Sequence, residues 1–557
     1  MGKRLSAANR VALILLLAAG TGLPAQIRFQ DVAAKAGLKF ELRNGAQGEF
    51  HQPELMLGGV AVLDYNNDGC MDIFFTNGAA MPSLKKTDPG YSNRLFRNNC
   101  DGTFTDVTEK AGVAGDGYSM GVAIGDYDND GYPDIFVAGL NRNILYHNLG
   151  NGVFEDVTAK AHLSGIDPHF GKLWSVSAAW VDVDNDGWLD LVIANYVQWD
   201  PQLEPRCGQP QSPEYCRPDA YHDTPTQLFH NNHDGTFSDI TQTSGLGAHL
   251  GKGMGVAVAD YDGDGLMDIF VANDSVPNFL FHNLGHGRFE EVGLLAGVAL
   301  NEDGRPVASM GTDFRDFDND GRPDLVFTAM IGDTYPLFRN SGKSPQFEDV
   351  TARSGLAAVS RALTGWGVGF YDFDNDGFKD IFTANALFPG MSGRTGDATS
   401  LPNSIFRNQG NGKFEDVSQT AGTDFQLAGQ YRGVAFADFD NDGRLDAVVV
   451  NVNGPARLFR NVTSEAGHWL ALKLRGTRSN RDGIGAKVEL TLPSGRQLYN
   501  HCTTSVGYAS SSEPLVRFGM GKETVAKTIR IRWPSGQVQE LQNIKGDQVL
   551  TATEPKP

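Results

Sequence analysis

Past residue 25 the chain contains no run of about 18 apolar residues, the length that would cross a bilayer as a helix, so a membrane-spanning reading fails. Basic side chains are scarce beside acidic ones, 47 against 67, and leave a formal net charge of −20. A surface that follows nucleic-acid phosphates needs clustered Lys and Arg, so nucleic acid is not expected as a partner. Long amphipathic helical stretches are missing too. No nucleophile motif, phosphate loop or dinucleotide fingerprint occurs, which weighs against an enzyme without ruling one out. Cysteine is sparse, with five residues at Cys70, Cys100, Cys207, Cys216 and Cys502.

The N-terminus reads MGKRLSAANRVALILLLAAGTGLPAQ: Lys3, Arg4 and Arg10 precede an apolar run from Val11 to Ala19, and small residues follow to Ala25. This is the pattern of a secretory signal peptide over residues 1–25, and it implies a secreted or periplasmic protein. No Cys follows the run closely, which argues against a lipid anchor. In such a compartment disulfides persist, and Cys207 with Cys216, both in the insertion CGQPQSPEYC, are expected to pair. The pairing of Cys70, Cys100 and Cys502 stays open, Cys70 with Cys100 being one option.

Glycine, by contrast, is abundant, with 67 residues beside 40% hydrophobic side chains, the balance of a turn-rich all-β protein. One nine-residue pattern occurs seven times: DYNNDGCMD from Asp64, DYDNDGYPD from Asp126, DVDNDGWLD from Asp182, DYDGDGLMD from Asp260, DFDNDGRPD from Asp316, DFDNDGFKD from Asp372 and DFDNDGRLD from Asp438. Start-to-start spacings of 62, 56, 78, 56, 56 and 66 residues describe a unit of 56 that tolerates insertions. Short apolar stretches flank each copy, as GVAVA does before Asp260 and DIFVAN from Asp268, so the acidic segment is a turn between two strands. Between the acidic turns recurs a second element, for example LFRNNCDGTFTDVTEKAGV from Leu95, which reads strand, glycine turn, strand and short connection.

Each unit thus supplies about four strands, the content of one propeller blade. IRFQDVAAKAGL at Ile27 is only the second half of the second element, and LFRN at Leu458 is only its first half. Joined, they make a seventh copy. The expected fold is therefore an all-β, seven-bladed propeller over residues 26–463, closed by its N-terminal strand so that no sheet edge is left open. A small β-sandwich over residues 464–557 would follow it, read from the alternation in LALKL, KVELTL and IRIRW and from two PSG turns.

The acidic turns carry the chemistry. Positions 1, 3, 5 and 9 place side-chain oxygens at Asp64, Asn66, Asp68 and Asp72; Asp126, Asp128, Asp130 and Asp134; Asp182, Asp184, Asp186 and Asp190; Asp260, Asp262, Asp264 and Asp268; Asp316, Asp318, Asp320 and Asp324; Asp372, Asp374, Asp376 and Asp380; and Asp438, Asp440, Asp442 and Asp446. Like charges packed this closely need a cation, and oxygen ligands at about 2.3 to 2.6 Å suit calcium. Position 7 varies, as expected if its backbone carbonyl is the ligand, at Cys70, Tyr132, Trp188, Leu266, Arg322, Phe378 and Arg444. Position 6 is always Gly and position 4 is Asn or Gly263, residues that take left-handed turns cheaply. No His or Cys recurs as a ligand, which disfavours zinc and copper, and magnesium's strict octahedron suits such a turn poorly. About seven calcium ions would carry 14 positive charges and move the balance from −20 to −6.

These DxDxDGxxD turns between apolar strands resemble FG-GAP and VCBS repeats, the unit of integrin α-subunit propellers. The resemblance runs from Ile27 to about Asn461 and implies a calcium ion in the rim turn of each blade. His468 and Trp469, the run Gly476 to Ala486, Phe518 to Gly521 and Trp533 to Gly536 look like the ASPIC/UnbV domain. Together they resemble the bacterial relatives of cartilage acidic protein.

Function is the less legible part. His147, His230 and His282 share a slot with Arg97, Arg339, Arg407 and Arg460, so these bases read as structural and no catalytic residue is assigned. Insertions at Asn195–Thr226, with Tyr196, Trp199 and Tyr215, and at Leu387–Pro402 are where recognition would reside on a rigid ring. SNRDGIG, with Asn480, Arg481 and Asp482, is either a ligand loop or a structural turn. The leading expectation is recognition or adhesion of a protein or glycan outside the cytoplasm, with calcium rigidifying the ring. The alternative is a calcium-dependent secreted enzyme with a pocket at the propeller axis or the interdomain cleft, supported if His169 or His222 converged on a metal.

Overall fold

A computed structural model of the chain describes residues 26–343, 346–389 and 399–556, so the apolar leader lies outside the described residues, as does most of the Leu387–Pro402 insertion. Seven antiparallel four-stranded units follow one another, the first of them extended to a six-stranded sheet by two short strands from the C-terminal region. We number them as blades by their innermost strands: Val60–Leu63, Tyr118–Gly125, Ser175–Val181, Gly253–Ala259, Thr312–Arg315, Gly365–Tyr371 and Tyr431–Ala437. Each innermost strand is followed by its acidic turn and a second strand, such as Asp134–Leu140 in blade 2, then by the LFRN-type strand and a short outer one. A single helical turn, for example Thr108–Ala111, leads to the next blade.

The innermost strands touch in sequence, and that of blade 7 touches that of blade 1, so the sheets form a ring. Blade 7 takes its outermost strand, Phe29–Asp31, from the other end of the chain, with Gln30 opposite Arg460. The inner two strands of each blade are covered on both faces, which is why they read as near-continuous apolar runs such as GMGVAVA. Separate apolar clusters fill the gaps between neighbouring blades, for instance Phe270, Phe314 and Phe327 between blades 4 and 5.

The C-terminal region packs a three-stranded sheet, built on His468–Arg475, against a four-stranded one, Gln497–His501, Lys487–Thr491, Val525–Arg532 and Val538–Lys545 in spatial order. Leu470, Leu472, Val488, Ile529 and Trp533 fill the space between them. The alternation in the sequence reports these strands correctly but not what the loop between them does. Residues Thr503–Glu513 leave the sandwich and run, fully buried, among the innermost strands of the propeller. Ser511 pairs with Ala61 of blade 1, the Thr504 hydroxyl donates to the Ile124 carbonyl of blade 2, and the Ala509 amide donates to Ser177 of blade 3. The Ser505 hydroxyl donates to Val256 of blade 4, Gly507 exchanges backbone hydrogen bonds with Thr312 of blade 5, and the Phe436 amide of blade 7 donates to Ser512. Tyr508 stacks edge-on against Trp366 of blade 6 at 5.2 Å.

One loop of the C-terminal region therefore bonds to or packs against all seven blades along the axis. This corrects the axial-pocket alternative: the space an axial active site would need is filled by the chain itself. Serine and threonine suit the place, because inner-strand backbone groups that face the axis need donors and acceptors once water is displaced.

The Asn195–Thr226 insertion also behaves differently from a free loop. Tyr196, Trp199 and Tyr221 are buried, and Glu204 holds both His51 Nδ1 and the Gln52 amide of the N-terminal segment. The short hairpin Cys207–Gln209 and Ser212–Glu214, closed by the Cys207–Cys216 disulfide, stands out into solvent. Cys70 pairs with Cys100, and Cys502 is a buried free thiol.

Candidate functional site

The acidic turns hold one geometry throughout. Position 1 accepts the amide of the position-6 glycine in every blade at 2.7 to 3.1 Å. Those glycines all have φ between +87° and +96°, where a Cβ would be strained. Position 9 is pinned from two sides. One of its oxygens accepts the position-2 amide, and the other accepts the amide of the LFRN-type asparagine, as Asp134 does from Tyr127 and, at 2.8 Å, from Asn148. Asp68, Asp130, Asp186, Asp264, Asp320, Asp376 and Asp442 at position 5 each accept the amide of position 7. The chain folds back on itself around these oxygens, and the ligand atoms of Asp126, Asp128 and Asp130 come within 4.8 Å of one another.

Position 3 is different. One oxygen of Asp184, Asp318, Asp374 and Asp440 is buried with no hydrogen-bond partner, a costly state for a carboxylate. The other oxygen of Asp318, Asp374 and Asp440 is held from outside by Arg339, Arg407 and Arg460. His147 sits 3.3 Å from both Asp128 and Asp134, and His230 lies 3.0 Å from Asp190. In these blades the histidine or arginine of the shared slot is thus a brace for the carboxylates of the acidic turn. In blade 1 Asn66 takes position 3 and its amide donates to Asp68.

Burial is the main force on these acids. It raises Asp72 to about 8, Asp126 to about 9, Asp182 to about 8 and Asp134 to about 7, with neighbouring aspartates adding to the effect. Carboxylates placed so would hold protons at neutral pH unless a cation replaced them. The donor set fits a hard divalent ion: carboxylate and amide oxygens clustered in each turn, with a buried position-3 oxygen left without a partner in four of them.

Two networks escaped the sequence reading. The position-4 asparagine crosses to the next blade: Asn67, Asn129, Asn185, Asn319, Asn375 and Asn441 donate to the carbonyls of Gly131, Gly187, Gly265, Gly377, Gly443 and Gly69. The last of these joins blade 7 to blade 1, and Gly263 leaves the step from blade 4 to blade 5 without a link. The LFRN-type asparagines form a complete second ring, each donating to a position-2 carbonyl of the preceding blade at 2.8 to 2.9 Å, from Asn98 on Phe439 to Asn461 on Phe373. Asparagine's recurrence at both places was visible in the sequence; its inter-blade direction was not.

Position 7 has a second use. Its side chain clamps the outer glycine turn of the same blade: Cys70 by the disulfide to Cys100, Trp188 by stacking on His233 at 4.7 Å, and Tyr132 and Phe378 by lying against Gly150 and Gly410. The C-terminal region seats on this face of the ring. The Arg481 amide donates to Asn129 Oδ1, the Asp126 amide donates to Asp482, and Lys487 and Arg517 reach Asp260 and Asp438 at 2.6 and 3.5 Å. Asn480 spends its amide on the Ile484 backbone in both directions, so SNRDGIG is a structural and docking turn. His169 and His222 both lie exposed on loops.

Comparison with known proteins agrees with this construction. The FG-GAP-like repeat model matches residues 64–137, 126–193, 220–271, 260–327, 316–383 and 392–449, and the ASPIC and UnbV model matches residues 476–557. Mouse cartilage acidic protein 1 is 28% identical over 86% of this chain and 71% of its own length, and the human protein is 28% identical over 86% and 69%. Human integrin alpha-6 is 33% identical over 24% of this chain and 12% of its own length. The chain belongs to the FG-GAP repeat family and carries a C-terminal ASPIC and UnbV domain, homologous to cartilage acidic protein 1 and to the propeller repeats of integrin α-subunits.

Proposed function

We propose that the protein is an exported recognition propeller that holds about seven calcium ions in its acidic turns and binds a protein ligand. The ions would be held by the position 1, 3, 5 and 9 side chains and the position-7 carbonyls, supplying charge and rigidity rather than a reacting group. The orphaned oxygens of Asp184, Asp318, Asp374 and Asp440 are the observation that supports calcium most directly. Kinship with integrin repeats supports a protein as the ligand, and two disulfides with a signal-like leader support export.

The binding element we favour is the Cys207–Cys216 finger. Turns between strands one and two of a blade lie at one end of the propeller, and the insertion joins strands two and three of blade 3, so the finger projects from the opposite end. Its exposed tip stands on buried Trp199 and Tyr221, the arrangement of a preorganised binding loop. Two measurements test this. Elemental analysis of the mature protein should find close to seven calcium ions per chain, and a protein array should lose its hits both in chelator and with Cys207→Ser/Cys216→Ser. Hits unchanged in both conditions would sink the reading.

A further inference from the structure

The ring of position-4 links is broken once, and a cavity of about 180 Å³ opens at the break. Asp260 and Asp316, the first residues of turns 4 and 5, line it together with Gly321, and one face of the C-terminal four-stranded sheet closes it from the other side. A second recess beside Gly263 and Lys487 continues it toward the rim.

The sheet face is unusual. His501, Lys487 and Arg532 stand in one row across three strands, directly opposite one another, and Tyr499, Glu489 and Arg530 form the next row. Directly opposed like charges destabilise a sheet, so the Lys487–Arg532 pair costs stability. Arg530 and Arg532 make no ion pair or side-chain hydrogen bond among the described residues. His501 is buried, its ring bonds to the Val258 backbone through one nitrogen, and its Nε2 has no partner. Burial and the nearby Arg315, Lys487 and Lys379 push its pKa down to about 3, so the ring is neutral and Nε2 offers a lone pair.

The cavity therefore has a buried acceptor at its floor and two unpaired guanidiniums at its mouth. A ligand that satisfies both donates a hydroxyl inward and presents a carboxylate outward. The volume suits one six-membered sugar ring. The geometry points to a uronic-acid site between blades 4 and 5 and the C-terminal sheet, in which His501 accepts a ring hydroxyl and Arg530 and Arg532 bind the carboxylate. It rests on the calcium reading in one respect: ions in turns 4 and 5 would neutralise Asp260 and Asp316 and leave the cavity with a net positive charge.

The test is calorimetric titration of the full chain with D-glucuronate, D-glucose and acetate, in calcium and in chelator, with the calcium content of each sample measured. Glucuronate should bind at least about tenfold more tightly than either control, and Arg530→Ala/Arg532→Ala should weaken it by at least about tenfold, the loss expected for charge-assisted hydrogen bonds, without lowering the melting temperature. Tighter binding of digalacturonate than of D-galacturonate would place the residue within a polysaccharide; equal binding would place it as a free acid. Glucuronate no better than acetate, or equal binding to the double variant, overturns the proposal. Calcium-loaded protein that ignores glucuronate refutes the uronate site alone. Protein that carries no calcium in either buffer and still binds glucuronate refutes the calcium reading alone.

Discussion

At one end of the propeller seven copies of a single turn lie under the C-terminal sandwich; at the other, one unrepeated insertion folds down over the N-terminal segment and leaves a short stapled finger in solvent. The first end is redundant, dense in charge and braced by links that pass from blade to blade. The second is singular and held mostly by apolar burial and one buried His51–Glu204 contact. Repetition in this molecule marks what links blade to blade, and the unrepeated insertion carries the finger that we propose meets a ligand.

Chelation should separate the two ends most sharply. A site held at about a thousandfold its Kd contributes roughly 4 kcal/mol, and several are coupled through the ring, so removing calcium should lower the melting temperature by more than about 10 °C. The pH dependence should also reverse. In the ion-free protein burial lifts Asp72, Asp126 and Asp182 far above their unfolded values, so the folded state binds more protons than the unfolded one. Stability from these groups is fully present below about pH 4 and is lost as pH rises through about 8 to 9, so chelated protein should melt higher at pH 5 than at pH 8. With calcium bound the ligands must be ionised, and the order should invert. Thermal scans at the two pH values, with and without chelator, decide it.

The axial loop gives the next largest effect. Tyr508 is fully buried and contacts Trp366, and its hydroxyl donates to the Met56 carbonyl. Tyr508→Ala should cost about 3–5 kcal/mol, read as a shift in the denaturation midpoint while calcium content stays the same. Loss of calcium together with stability would mean that the loop positions the turns as well as filling the axis.

How much of this was open to the sequence follows the same division. Period, strand content, the split seventh copy and the clustering of the aspartates all depend on local spacing, and the glycine and asparagine positions report the backbone conformation directly. The path of residues 503–513 does not, because small polar residues in a loop of one part read alike whether they face solvent or the axis of another. Tyr196 and Trp199 misled for the same reason: aromatic residues in an insertion suit a binding surface and a buried base equally. Which carbonyl an asparagine reaches depends on the neighbouring blade, which no single repeat specifies.

The finger should be weakly coupled to the ring. Opening a nine-residue separation by Cys207→Ser/Cys216→Ser removes at most about 2–3 kcal/mol of loop restraint, and because the finger is peripheral the loss should appear as faster proteolysis near residue 210. The main thermal transition should move by only a few degrees. A large fall would show that the two ends are one cooperative unit.

The smallest effect tests the break in the ring itself. Gly263 has φ of +85°, a conformation asparagine tolerates, and nothing lies within 4 Å of where its Cβ would stand. Gly263→Asn can therefore supply the missing seventh link, a donor aimed at the Gly321 carbonyl, and it also restricts the unfolded chain. Each contribution is worth up to about 1 kcal/mol, so the melting temperature should rise by roughly 2–4 °C, while Asn129→Gly should lower it by a similar amount. If Gly263→Asn instead left stability unchanged while Asn129→Gly lowered it, turns 4 and 5 would be standing too far apart to be joined, and the opening there would belong to the frame of the ring rather than to one residue.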